Sequence, residues 1–122
     1  MAAQEDTERS RFVLGARGAP TPQVTLRKDG RVLAFNRAAY VALGRPAHVE
    51  LLFDRGRREI AVRPVPAETE HSYFVTQQPG TAIWVVSAIL LSRTYGLIVP
   101  EARRFAARLV DGLLVADVGA LG

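Results

Sequence analysis

The chain contains no cysteine, which excludes a disulfide framework, a thiolate nucleophile and any Cys-containing zinc site. Histidine is scarce too. His48 and His71 are the only two, too few for a protein-built transition-metal site, and neither a metal nor another cofactor is expected. Lysine is nearly missing, since fifteen of the sixteen basic residues are Arg. A long apolar run is also lacking: Ala82 to Leu91 is interrupted by Ser87, is followed by Arg93, and is about half of the roughly 20 residues that a membrane-spanning helix needs. The N-terminal ten residues carry acids where a signal peptide would carry bases. A soluble, cytoplasmic protein without a membrane partner is the expectation.

The vocabulary of catalysis is equally thin. No Gly-x-Ser-x-Gly elbow is present, and Gly15-x-x-Gly18 lacks the Lys-Ser/Thr that a phosphate-cradling loop requires. His71 and Ser72 are adjacent, but adjacency in sequence does not set a base against a nucleophile. The carboxylates are scattered through turns and strand ends, and none sits in an apolar run that would raise its pKa. No catalytic residue is assigned, and the expectation is a non-enzyme.

What remains is one domain's worth of ordinary globular composition: 122 residues, 13.3 kDa, 48% hydrophobic and 23% charged. The formal net charge of +4 permits an anionic partner without requiring one. Residues 1–22 read as a flexible segment with a short strand at Arg11 to Leu14 and a Gly/Pro linker, and residues 23–122 as the single domain. Val24 and Leu26, then Val32, Leu33 and Phe35, flank a Lys28-Asp29-Gly30 turn. Asn36 is placed to cap a two-turn helix that Gly44 ends. Residues 48–53 and 59–65 form a hairpin around the Asp54–Arg58 turn.

The pattern then restarts. A strand at 73–75, a Gln77–Gly80 turn and a strand at 81–86 precede a second helix capped by Ser87 and ended by Gly96, and a last hairpin turns at Asp111-Gly112. Gly30 matches Gly80, Asn36 matches Ser87, Gly44 matches Gly96 and Asp54 matches Asp111, at offsets of 50, 51, 52 and 57. Two unequal strand-strand-helix-hairpin repeats, at about 24–65 and 73–118, are expected to share one core that neither could build alone. The fold class is mainly β with short helices (α+β). Tyr73, Phe74, Trp84, Tyr95 and Phe105 read as core packing; Tyr40 reads either as an exposed contact or as an apolar anchor.

Thr25-Leu-Arg-Lys-Asp-Gly-Arg-Val-Leu33, Ala42-Leu-Gly44, and Val49 to Asp54 leading into Ile60-Ala-Val-Arg-Pro64 together resemble the swapped-hairpin domain of the AbrB/SpoVT/MazE superfamily of bacterial DNA-binding regulators. The resemblance covers about a third of the chain. It implies a swapped-hairpin β-barrel, closed within one polypeptide if the second half is a degenerate copy, and duplex DNA as partner. It also implies phosphate and base contacts from the basic strand and its Gly-Arg turn, carried here by Arg27, Lys28, Arg31 and Arg37. Arg55, Arg57 and Arg58 form a second basic turn suited to auxiliary phosphate contacts.

Charge partition agrees with that placement. Residues 23–66 hold nine bases and four acids, for +5, whereas residues 67–122 hold four bases and five acids, for −1. Such asymmetry departs from the matched halves that grip a palindrome. The expected function is transcription regulation through duplex DNA bound by the first repeat. The alternative is a protein-interaction or accessory module, antitoxin-like or adaptor, on the same scaffold. A monomeric pseudo-dimer and a homodimer are both compatible with the sequence.

Overall fold

The computed structural model describes residues 21–121. Nine strands, two helices and one 3-10 turn follow one another as β1 (Gln23–Leu26), the 3-10 turn (Lys28–Gly30), β2 (Val32–Phe35), α1 (Arg37–Ala42), β3 (His48–Asp54), β4 (Glu59–Val65), β5 (Ser72–Phe74), β6 (Thr76–Gln77), β7 (Trp84–Ser87), α2 (Ile89–Tyr95), β8 (Arg103–Val110) and β9 (Leu113–Asp117). With 44% strand and 16% helix the class is mainly β. The strand that the sequence suggests at Arg11 to Leu14 lies outside the described residues.

All strands join one antiparallel sheet in the order β5-β3-β4-β9-β8-β1-β2-β7-β6. The two strands at the ends of that order are consecutive in the chain. Only Val75 separates them, and its amide donates to the Ala47 carbonyl at 2.9 Å, so the sheet curls into a nearly closed barrel. Near-closure matters because exposed strand edges invite pairing with other chains. Period-2 alternation points Val24, Leu26, Leu33, Phe35, Val49, Ile60, Val62, Val86 and Leu114 inward, each at most 3% exposed. Burial of each such side chain contributes about 1.5–3 kcal/mol.

Exchanging the set β1, β2, α1, β3, β4 with the set β5–β6, β7, α2, β8, β9 leaves the pairing scheme unchanged. β1·β2 becomes β6·β7, β3·β4 becomes β8·β9, β1·β8 becomes β5·β3, and β2·β7 and β4·β9 map onto themselves. Register is kept as well: adding 51 to Thr25↔Ala34 and Leu26↔Leu33 gives Thr76↔Val85 and Gln77↔Trp84.

The helices are capped unequally. Asn36 caps α1, its Oδ1 accepting from the Ala39 amide at 2.9 Å and from the Gln23 amide at 3.0 Å. Ser87 does not cap α2. It is paired with Val32 in the β2·β7 ladder, and the N-cap is the buried Ala88, which has no capping side chain. Each helix also reaches a residue of the opposite set. Tyr40 of α1 stacks on Trp84 at 4.1 Å and 10°, so it is an anchor rather than a free contact residue. The Ser92 hydroxyl of α2 donates to the Gly30 carbonyl at 2.7 Å, in the turn between β1 and β2. Phe74, expected in the core, is exposed and meets only the His48 ring among the aromatics, at 4.7 Å.

Candidate nucleic-acid interface

Strand direction decides where each basic residue lies. β1, β3, β7 and β9 end at the same rim of the barrel, where β2, β4 and β8 begin. That rim carries the Lys28–Gly30 turn, the Asp54–Arg58 turn, α2 and the start of β8. The opposite rim carries α1 and the Asp111-Gly112 turn.

Arg27 closes β1 and is half-buried; its guanidinium donates to the Gln78 side-chain oxygen at 2.6 Å. Lys28 stands exposed in the neighbouring turn, whose backbone is held by the Asp29 amide donating to the Val99 carbonyl at 2.8 Å. Thr25 pairs with both Ala34 and Arg104, so the β1·β8 ladder sets Arg104 beside the outer face of β1, and Arg103 opposite Leu26. Arg104 and Arg27 line one groove of about 360 Å³ with Gln23, Thr25, Ala34, Phe35, Asn36 and Ile83. Its polar wall offers amide, hydroxyl and guanidinium donors.

The other residues picked out in the sequence are dispersed around this groove. Arg31 is exposed and turns away from it to line a concavity with Arg93 and Ile89 of α2. Arg37 is exposed at the first position of α1, at the opposite rim, next to Asn36. Arg57 is exposed in the second basic turn, while Arg55 lies over the Tyr95 ring at 5.1 Å and Arg58 over Phe53 at 5.9 Å. β9 and β8 separate β4 from β1, so three strand spacings, about 14 Å, part the two basic turns. Arg104 stands between them on the outer face and Arg103 on the other face, over the Phe105 ring at 5.8 Å, with the paired Glu59 and Asp117 on the side of the second turn.

Those two arginines belong to the half of the chain that is net acidic, and no local signal marks them. Their relevance follows from a pairing between strands about 80 residues apart, such as Val24 with Phe105. The charge that looks confined to one half of the sequence is gathered in space from both halves. Two arginines elsewhere are neutralised: Arg63 pairs with Glu50 at 2.6 Å and Arg108 with Glu59 at 3.0 Å.

No family model, curated protein or solved structure matches this chain. The reading of the site therefore rests on its own geometry. His71 and Ser72 form a polar turn in which the Ser72 hydroxyl donates to the Thr69 carbonyl at 3.1 Å and the His71 amide donates to the Thr69 hydroxyl at 3.3 Å. Among the described residues no three His, Asp or Glu side chains come together, and no helix is long and apolar enough to cross a membrane.

Proposed function

We propose that this chain is an AbrB-like swapped-hairpin barrel, a pseudo-dimer in one polypeptide, that binds duplex DNA along the basic band from Arg57 through Arg103 and Arg104 to Arg27 and Lys28. The swapped reading is supported by the partners of each hairpin. β3–β4 is flanked by β5 and β9, and β8–β9 by β4 and β1, so each hairpin is embraced by strands of the other set. The DNA reading is carried by one observation, the insertion of Arg103 and Arg104 between two basic turns that the sequence separates from them. Guanidinium groups suit phosphate oxygens and guanine edges, where they form two parallel hydrogen bonds. A transcriptional regulator is the role that fits such a band.

The test is fluorescence anisotropy with a labelled 20-base-pair duplex across a salt series. Each phosphate neutralised contributes about −0.9 to the slope of log K against log salt, so a band of four or five contacts weakens about 150- to 500-fold on a fourfold rise in salt. Arg104→Ala is expected to lower affinity several-fold and to make the slope shallower by about one contact. Absence of binding at 50 mM salt, or an Arg104→Ala slope equal to that of the parent, would refute the reading.

A further inference from the structure

Adding 51 to the groove residues Gln23, Thr25, Ala34, Phe35 and Asn36 gives Phe74, Thr76, Val85, Val86 and Ser87. All five line a second concavity, of about 410 Å³, on the other side of the β2·β7 seam. The two grooves are thus counterparts under the exchange that preserves the strand pairing, yet their chemistry has diverged. Gln23 gives way to Phe74, Ala34 to Val85, and Arg27 to Gln78. The second groove keeps Arg31, Thr76 and Ser87 as its polar lining but is richer in large apolar side chains than the first, which holds two arginines.

Its apolar surface continues over α2. Phe74, Leu90 and Ile98 are each 64% exposed and Ile89 is 40% exposed. Ile89 lines both this groove and the adjoining concavity that holds Ile98, Arg31 and Arg93, and Leu90, next on α2, lines a further concavity with Tyr73 and Glu70. Large apolar side chains clustered in this way mark an interaction site rather than ordinary surface. Arg31 and Arg93 line the adjoining concavity together with Asp29, leaving it one positive charge in excess, and neither arginine is in an ion pair among the described residues.

We infer that this second groove and the outer face of α2 dock an acidic amphipathic segment of a partner protein, its apolar side chains on Phe74, Ile89, Leu90 and Ile98 and its carboxylates against Arg31 and Arg93. The rim charge selects the occupant. A two-fold contact between copies of this chain would bring together two patches that each hold two arginines against Asp29 alone, and repulsion between the net positive patches disfavours it. A nucleic acid would leave four apolar side chains against phosphate. Carboxylates flanking an apolar stripe satisfy both features, as in groove recognition of amphipathic helices. The inference goes beyond the DNA reading and stands independently of it.

The experiment titrates the full chain against three fluorescein-labelled 18-residue helical peptides that share one leucine face and carry Glu, Gln or Lys on its flanks. The Glu peptide is expected to bind at least tenfold more tightly than the Lys peptide, with the preference narrowing as salt rises. Leu90→Ser and Ile98→Ser, both at exposed positions, are expected to lose at least tenfold, Arg93→Glu to reverse the order of the peptides, and Leu109→Ser, exposed on β8, to change nothing. Equal binding of the three peptides, or binding unaffected by Leu90→Ser, would overturn the inference. So would a self-association in sedimentation that Leu90→Ser abolishes, which would assign the face to a second copy, or loss of duplex binding in that variant, which would assign it to DNA.

Discussion

Gly30 sits where two halves of the molecule touch, and replacing it with alanine isolates the energy of that contact. Its φ is +65°, a left-handed conformation that costs a residue with a side chain about 1–2 kcal/mol. An added Cβ would also lie 2.8 Å from the Ser92 Cβ and closer still to the Ser92 hydroxyl. Ser92 cannot move aside, because it is buried within α2 and its Cβ is fixed by the helix backbone. Relief requires α2 to shift, and with it the 2.7 Å hydrogen bond from Ser92 to the Gly30 carbonyl. Leaving that carbonyl unsatisfied costs a further 1–3 kcal/mol or so.

The sum for Gly30→Ala is about 3 kcal/mol or more, which for a domain of this size lowers Tm by about 12–24 °C. In a Ser92→Gly background both obstructing atoms are gone, so the same substitution should cost only the backbone strain, about 1–2 kcal/mol. The double-mutant cycle, measured by urea and thermal unfolding, is expected to show a coupling of about 2 kcal/mol. A cost of Gly30→Ala below about 1 kcal/mol, or equal costs in the two backgrounds, would refute the steric reasoning.

Asn36→Ala removes two accepted hydrogen bonds and one donated to the Thr21 carbonyl at 2.9 Å, so a loss of about 2–3 kcal/mol in urea unfolding is expected; Asn36→Asp, which keeps the acceptors, should lose about half as much. The Glu50 carboxyl is held below the usual carboxylate range by the hydroxyl of Thr69, and next by Arg63. A depressed native pKa stabilises the fold above the unfolded value and loses that contribution as pH falls through the native one. Melting curves of the parent and Glu50→Gln should therefore converge on acidification, and parallel curves would contradict this. Expressed separately, fragments 21–68 and 69–121 should each fail to give a cooperative melt, because each hairpin lacks its flanking strands, and co-expressed they should assemble as one unit. A fragment that melts cooperatively alone would count against the swapped architecture.

Much of the local punctuation was legible in the sequence because it depends on neighbouring residues. Asn36 caps α1, Gly96 ends α2 with a left-handed φ of +63°, and the hairpin turns fall where glycine and aspartate place them. The misreadings have two causes, a local turn in one case and competition from partners distant in the chain in the others. The strand expected over 81–86 is shortened because Thr81 folds back on Gln78, its hydroxyl donating to that carbonyl at 2.8 Å and accepting from the Ile83 amide at 3.2 Å. Ser87 is claimed by β2, and the strand from Tyr73 is broken at Val75 by Ala47. The largest gap concerned Arg103 and Arg104, whose position depends wholly on a non-local ladder. Composition could assign charge to a half of the chain, but only topology could assign it to a rim of the barrel.

The order of synthesis gives the interlocked hairpins another meaning. β1 precedes the other strands, yet its outer partner β8 follows about 80 residues later, and β4 waits more than 50 residues for β9. Until the final hairpin leaves the ribosome, the first half holds unsatisfied strand edges and an apolar face with nothing to cover it. Folding thus waits for β8 and β9 to be made, is dominated by distant pairings, and is slow for the size of the domain. A nascent chain stalled before β8 would be a substrate for chaperones rather than half a protein.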